Sequence, residues 1–189
     1  MFTGIVQAVG RIVRVEPHEI ECGGLDLGDV GVGDSISVQG VCLTVTAMRP
    51  RGFSADVSAE TLRVTTGLER PGEVNLEKSL ALGDKLGGHL VTGHVDGVGE
   101  VTARTGTVVA VRMPKALRRY VAPKGSICVD GVSLTVNRVD GEVFEVNLIP
   151  HTLEVTTLSR LASGVKVNLE VDLIARYVAN MVGISPGAV

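Results

Sequence analysis

Apolar and polar positions alternate with a period of two through much of the chain. In Val41-Cys42-Leu43-Thr44-Val45 the apolar Val41, Leu43 and Val45 fall on one face, and Cys42 and Thr44 fall on the other. That is the pattern of a strand with one face in a core. Similar runs, bounded by glycine-rich turns, predict strands in the first half near residues 1–15, 35–38, 43–48, 53–57 and 74–77. Short helices are expected over 58–65 and over 114–121, where Pro114 suits a first helical turn. Near the end the period changes. Leu173, Ile174, Tyr177, Val178 and Met181 recur at helical spacing, with Asp172 placed as a cap and Gly183 and Pro186 as stop signals. This apolar stripe is suited either to its own barrel or to copies of itself in an oligomer.

The alternating pattern is written twice. Ile36 to Val45 reads Ile-Ser-Val-Gln-Gly-Val-Cys-Leu-Thr-Val, and Ile127 to Val136 reads Ile-Cys-Val-Asp-Gly-Val-Ser-Leu-Thr-Val, with 7 of 10 positions identical. Each glycine predicts a tight bend into the strand. Phe53 answers Phe144 at the same offset, Asp56 answers Asn147, and Thr61-Leu62 answers Thr152-Leu153. Val74-Asn75-Leu76-Glu77 returns as Val167-Asn168-Leu169-Glu170, and Thr3-Gly4-Ile5 aligns with Thr92-Gly93-His94. One unit of about 87 residues is therefore used twice, a period that means tandem domains rather than a solenoid. Short strands at this spacing predict closed antiparallel barrels, which leave no exposed sheet edge. The expected division is 1–86, 87–171, and a helix with tail over 172–189.

Composition narrows the function. Twenty-four glycines and no Trp suit an all-β chain with many turns. A net charge of −3 with both signs interspersed offers no basic stripe with aromatic platforms, so a nucleic-acid partner is not expected. No opening segment combines a charged region with an apolar stretch, and no run approaches a membrane span. Cys22, Cys42 and Cys128 are too few and too irregularly spaced for a disulfide framework or a zinc site, which points to a reducing cytoplasm.

The candidate chemistry lies in the differences between copies. Ser133 and Thr135 stand where the first copy has Cys42 and Thr44, and His94 stands where it has Ile5. His89 and His94 fit a metal pair poorly, because five residues apart on one strand they face opposite ways. Either alone suits proton transfer near neutral pH. A buried small hydrophobe is the commoner role for a residue such as Cys42, yet Ser133 in its place shows that the face accepts a polar atom. Nucleophile-elbow, Walker and dinucleotide-binding motifs are absent.

The opening Met1-Phe2-Thr3-Gly4-Ile5-Val6-Gln7, the doubled motif, Glu60-Thr61-Leu62-Arg63, Gly87 to His94, Ile149 to Glu154 and Val167 to Asp172 together resemble the riboflavin synthase family over essentially the whole chain. The resemblance implies two similar six-stranded antiparallel β-barrels followed by a C-terminal helix that assembles a homotrimer. It implies a dismutation in which two molecules of 6,7-dimethyl-8-ribityllumazine give riboflavin and 5-amino-6-ribitylaminouracil by four-carbon transfer, with no metal or organic cofactor. The active site would lie between the first barrel of one subunit and the second barrel of a neighbour, and lumazine synthase is a further partner the family suggests.

Carried over by position, the first barrel's pocket would use Gly4, Ile5, Val6, Cys42, Leu43, Thr44, Asp56, Val57, Ser58, Ala59, Glu60 and Thr61. The second would use Gly93, His94, Val95, Ser133, Leu134, Thr135, Asn147, Leu148, Ile149, Pro150, His151 and Thr152, with Lys124 reaching across from a neighbouring subunit. Main-chain groups of Thr44 and Thr135 are expected at the pteridine edge. The catalytic expectation gives His94 a proton-transfer role and has Ser133 and Thr135 polarise or add to C7. Cys42 would serve the opposite ring, and Asp172 would orient groups or exchange protons. The family often has Asn before the first motif's glycine, where this chain has Gln39. The rival reading is the lumazine protein, a non-catalytic antenna, whose members tend to lose the equivalents of His94 and of the second Leu-Thr-Val; this chain keeps both.

Overall fold

In the computed structural model, which describes residues 1–183, the first half folds as β1 (Ala8–Val15), β2 (His18–Glu21), β3 (Ser35–Val38), β4 (Val41–Arg49), β5 (Gly52–Ala55), α1 (Ala59–Val64) and β6 (Gly72–Lys78). The second half repeats the order with β7 (Gly97–Thr105), β8 (Val108–Arg112), β9 (Ser126–Val129), β10 (Val132–Asp140), β11 (Val143–Asn147), α2 (Pro150–Val155) and β12 (Lys166–Val171). Each half closes into an antiparallel barrel, β1-β2-β5-β4-β3-β6 and β10-β11-β8-β7-β12-β9, and the two orders are the same ring. The predicted all-β class, the two six-stranded barrels and the C-terminal helix are what the chain adopts. Even the irregularities repeat. The β4–β5 ladder shifts register between Val45 and Ala47, and the β10–β11 ladder shifts between Val136 and Arg138.

The repeated glycine does what its position predicts. Gln39 and Gly40 have φ of 52° and 82°, and Asp130 and Gly131 have 49° and 82°. Paired left-handed residues make the two-residue hairpin turn whose twist matches the flanking strands. Down β4 the alternation holds, with Val41, Leu43 and Val45 in the core and Thr44 exposed. One core fills each barrel around Phe53 or Phe144, and a third small cluster of Phe2, Val91 and Cys128 lies apart from both.

Some element boundaries differ from expectation. Residues 1–7 are not part of the first strand: Phe2 makes a single bridge to Val91, and β1 begins at Ala8. The cause is local, since Gly4 turns the chain at φ 75° and its N–H is bound by a buried carboxylate. β2 was not expected, because His18-Glu19-Ile20-Glu21 carries charge on its outer face and only two buried positions. The expected helix over 114–121 is a 3-10 helix, Lys115–Tyr120, with Pro114 just before it. The helix over 58–65 forms with Ser58 as its cap, the Ser58 side chain accepting from Thr61 N–H. α3 (Leu173–Met181) starts at Asp172, whose carboxylate accepts from Ile174 N–H. The expected stop at Pro186 lies outside the described residues. Ile174, Tyr177, Val178 and Met181 are exposed on α3, so this stripe is not spent on the chain's own barrel. No helix among the described residues is long and apolar enough to cross a membrane.

The barrels meet turn against turn. A Cβ on Gly40 would stand 2.6 Å from the Gly131 nitrogen. Around this crossing Asn75 Nδ2 donates to the Asp130 carbonyl at 2.8 Å, and Asn168 Nδ2 donates to the Gln39 carbonyl at 2.9 Å. Asn168 N–H also donates to the Asp130 carboxylate at 2.8 Å. Burial raises the Asp130 pKa from an ordinary 3.8 to about 7, against the lowering effect of hydrogen bonds from Asn168 and Gln39. The folded value lies above the unfolded one, so the fold keeps a proton that the unfolded chain loses. Stability from this group is therefore greatest below about pH 4 and declines as pH rises to about 7. Glu77 and Glu170, also raised by burial, act in the same direction. We expect a higher melting temperature at pH 5 than at pH 8, and Asp130→Asn to flatten most of the difference. An unchanged slope in the variant would show that Asp130 does not carry it.

Candidate active site

Two short straps, residues 2–6 and 91–95, lead into the barrels and cross between them. Phe2 N–H donates to Val91 O at 2.7 Å and Val91 N–H to Phe2 O at 3.0 Å, so the straps pair at the centre. Beyond that pair each strap enters the other unit. Ser133 N–H donates to Gly4 O at 2.8 Å, and Cys42 N–H donates to Gly93 O at 2.9 Å. Val6 packs on the core of the second barrel, and Val95 packs on that of the first. The pocket allocation expected from sequence is corrected here: Gly4, Ile5 and Val6 lie with Ser133, while Gly93, His94 and Val95 lie with Cys42. The reason is that each strap pairs at its glycine carbonyl with the amide of the motif strand in the opposite barrel. The contact admits only glycine, since a Cβ on Gly4 or Gly93 would sit 2.7 Å from Ser133 or Cys42.

In the second pocket Ser133, on β10, points away from the core, as the alternation requires. Its Oγ lies 2.7 Å from His89 Nδ1. His89 is fixed by its own N–H, which donates to Thr3 O at 3.1 Å, and Gly88 before it passes so close that a Cβ would meet Thr3 O at 2.1 Å. Burial pushes the His89 pKa down, and the charge of Asp172 opposes this. The imidazole is thus held neutral at neutral pH, with Nδ1 able to accept the Ser133 hydroxyl proton. Its Nε2 is buried and has no hydrogen-bond partner among the described residues. The sequence named His89 only as one of two alternatives; the structure joins it to Ser133 and leaves His94 exposed on the strap beside Cys42. A signal was available, because Gly87-Gly88 ahead of His89 marks a close backbone approach.

The first pocket repeats the parts with a different centre. Cys42 is partly exposed, whereas Cys22 and Cys128 are buried. Burial drives the Cys22 thiol to about 11 and raises Cys128 as well. No histidine is hydrogen-bonded to Cys42 among the described residues. Leu43 and Leu134 face the cores, and Thr44 and Thr135 are exposed beside the pocket centres. Asp56, Val57, Ser58, Ala59, Glu60 and Thr61, the flank expected for the first pocket, follow β5 and enter α1. Ser58 is engaged as a helix cap, and Glu60 is ion-paired to Arg63 at 2.6 Å. In the second barrel Asn147, Ile149, Pro150 and His151 are exposed and Thr152 half-buried, while the Leu148 side chain is wholly in the core. Ile5, on the strap beside Ser133, and Ile149, in the second barrel, are exposed in the single chain.

Three further residues bear on the site. Lys124 holds φ at 70°, left-handed, at the position where the first unit has Gly33 at 97°. A lysine kept where glycine fits better stores backbone strain of about 1 kcal/mol or more. Asp172 caps α3 and acts on His89 through its charge. Glu77 and Glu170, to which the sequence gave no role, are buried and bind the straps. Glu77 accepts from Thr3 N–H at 2.7 Å and Gly4 N–H at 3.0 Å, and Glu170 accepts from Thr92 N–H at 2.7 Å and Gly93 N–H at 2.9 Å. Among the described residues no group of three or more His, Cys, Asp or Glu is arranged to hold a metal ion.

The family model for the lumazine binding domain matches this chain twice, over residues 3–79 and 92–172. The riboflavin synthase of Mycobacterium tuberculosis is 50% identical over 196 residues, spanning 96% of this chain and 98% of that protein. The riboflavin synthase of Photobacterium leiognathi is 42% identical, spanning 96% and 89%. Among solved structures, LumP complexed with 6,7-dimethyl-8-(1'-D-ribityl) lumazine superposes with a TM-score of 0.77 at 27% identity, covering 90% of this chain and 98% of that one.

Proposed function

The chain belongs to the riboflavin synthase family of lumazine-binding proteins, and on that premise we propose that its paired pockets carry out the family's dismutation. Two molecules of 6,7-dimethyl-8-ribityllumazine give one riboflavin and one 5-amino-6-ribitylaminouracil by transfer of a four-carbon unit. The observation that carries this reading is the pair of like motif strands, each met by a crossing strap, with unlike centres, Cys42 in one and Ser133 with His89 in the other. The same substrate is bound twice, and the two copies must react differently.

Holding both lumazines in register supplies much of the acceleration, up to ~7–11 kcal/mol for well-oriented partners. Main-chain groups of Thr44 and Thr135 meet the pteridine edges, and the exposed polar residues of the two flanks hold the ribityl hydroxyls. His89, kept neutral by burial, accepts the Ser133 proton as Ser133 adds to or polarises C7, and Thr135 assists. His94, on the strap beside Cys42, exchanges a proton with the acidic 7-methyl group of the ring in the first pocket. Asp172 steadies charge on His89. The chemistry is carried by the substrates and these side chains, with neither a metal nor an organic cofactor.

The exposed Ile5 and Ile149 and the exposed apolar face of α3 support a homotrimer in which the first barrel of one subunit faces the second barrel of a neighbour and Lys124 reaches across. Lumazine synthase is a further partner of this reading, and the cytoplasm its location. Subunits carrying Cys42→Ala mixed with subunits carrying Ser133→Ala should regain part of the lost activity, because mixed assemblies contain some intact sites. No recovery after confirmed subunit exchange would place each site within one chain. The function itself is tested by incubating the protein with the lumazine alone and following riboflavin absorbance. Turnover is expected; tight, fluorescent binding without turnover would make the chain an antenna.

A further inference from the structure

Each barrel grips its own strap and hands it to the other barrel. Glu77 stands on β6, the last strand of the first barrel. Its Oε1 accepts from both Thr3 N–H at 2.7 Å and the Thr3 hydroxyl at 2.9 Å, and its Oε2 accepts from Gly4 N–H at 3.0 Å. Glu170 on β12 holds Thr92 and Gly93 the same way, with the Thr92 hydroxyl at 2.6 Å. Both glutamates are buried. The gripped glycine's own carbonyl, in the next peptide, accepts the amide of Ser133 or of Cys42.

We propose that Glu77 and Glu170 are positioning residues with crossed targets: Glu77 sets the Ser133 pocket in the second barrel, and Glu170 sets the Cys42 pocket in the first. This rests on the pockets named under Proposed function. A carboxylate that receives three hydrogen bonds fixes the peptide that carries the glycine N–H and so anchors the strap one φ/ψ pair from the glycine carbonyl that meets the opposite motif strand. In the first strap the Thr3 hydroxyl, itself held by Glu77, also accepts from Ile5 N–H at 3.3 Å, in the peptide that carries that carbonyl. Glutamine in its place offers one acceptor oxygen instead of two and turns an N–H₂ group toward a backbone donor. The strap then loosens where it enters the other barrel, while the pocket in the mutated barrel keeps the strap that the other glutamate holds. Two pockets of the same ancestry are in this way adjusted by separate residues, each from a distance.

The test reads pocket geometry without relying on turnover. Cys42 is the partly exposed thiol, and Cys22 and Cys128 are buried, so the rate of alkylation by iodoacetamide reports on the first pocket. Glu170→Gln is expected to change that rate by roughly tenfold, the equivalent of about one charge-assisted hydrogen bond, and Glu77→Gln to leave it nearly unchanged. Moving the reporter with Cys42→Ser and Ser133→Cys should reverse the dependence, so that Glu77→Gln matters and Glu170→Gln does not. Thr3→Val and Thr92→Val, which remove the hydroxyl bond to the glutamate and, at Thr3, the bond from Ile5 N–H as well, should give the same pattern more weakly if a glutamine variant fails to fold. Equal effects on both reporters, no effect on either, or a response from the mutated barrel's own pocket would overturn the proposal. Loss of lumazine turnover with the crossed pattern intact would count against the catalytic reading alone.

Discussion

Ser133→Ala is expected to lower turnover by about two orders of magnitude or more, the lower part of the range for a positioned proton-transfer group, while the fold stays intact. The strand contact survives, because Ser133 engages Gly4 through its backbone N–H. What disappears is the hydroxyl 2.7 Å from His89 Nδ1. His89→Ala should produce a loss of similar size, since a pair that acts together fails when either member is removed. Cys42→Ala should cost less, because no histidine is hydrogen-bonded to that thiol among the described residues. His94→Ala, altering an exposed residue, should lower turnover more than tenfold with no change in melting temperature. Steady-state rates with the lumazine and melting curves for each variant check all four. Near-normal turnover in Ser133→Ala would remove Ser133 from the chemistry.

Gly40→Ala is expected to be among the most damaging single-methyl additions in the chain, lowering stability by about 4 kcal/mol or more. The added Cβ would lie 2.6 Å from the Gly131 nitrogen, and φ at Gly40 is 82°. The obstacle is backbone, so no side-chain rotation relieves it, and the two barrels must part. A control separates crowding from conformational strain. Gly106 also has a positive φ, at 60°, but no atom within 4 Å of the position of a Cβ. Gly106→Ala should therefore cost only about 1–2 kcal/mol, the price of the left-handed backbone alone. Thermal melts of both variants, at one pH, provide the comparison; equal losses would show that the turn crossing is not tightly packed.

How far the sequence discloses this molecule depends on the kind of interaction. Alternation along 41–45 and 132–136 states which side chains are buried, because a strand's period is fixed by its geometry. The duplicated decapeptide carries the rest of the barrel with it, down to the register shifts at Val45/Ala47 and Val136/Arg138. Asp172 as a helix cap and Ser58 at the start of α1 are likewise local and legible. The crossing of the straps is not. Thr3-Gly4-Ile5 looks the same whether it lies on its own barrel or the other, because a backbone carbonyl makes the contact. The pairing of His89 with Ser133 spans 44 residues and follows from that crossing. The roles of Glu77 and Glu170 were hidden for a related reason. A glutamate on a strand reads as a solvent-facing charge, and only the fold shows that it faces three donors.

The account stands most directly on the product balance of one reaction. The protein should be supplied with 6,7-dimethyl-8-ribityllumazine and nothing else, and all species counted by liquid chromatography over time. The account predicts one riboflavin and one 5-amino-6-ribitylaminouracil for every two lumazines consumed. Lumazine that is bound yet recovered unchanged, or riboflavin formed in any other proportion, would contradict it.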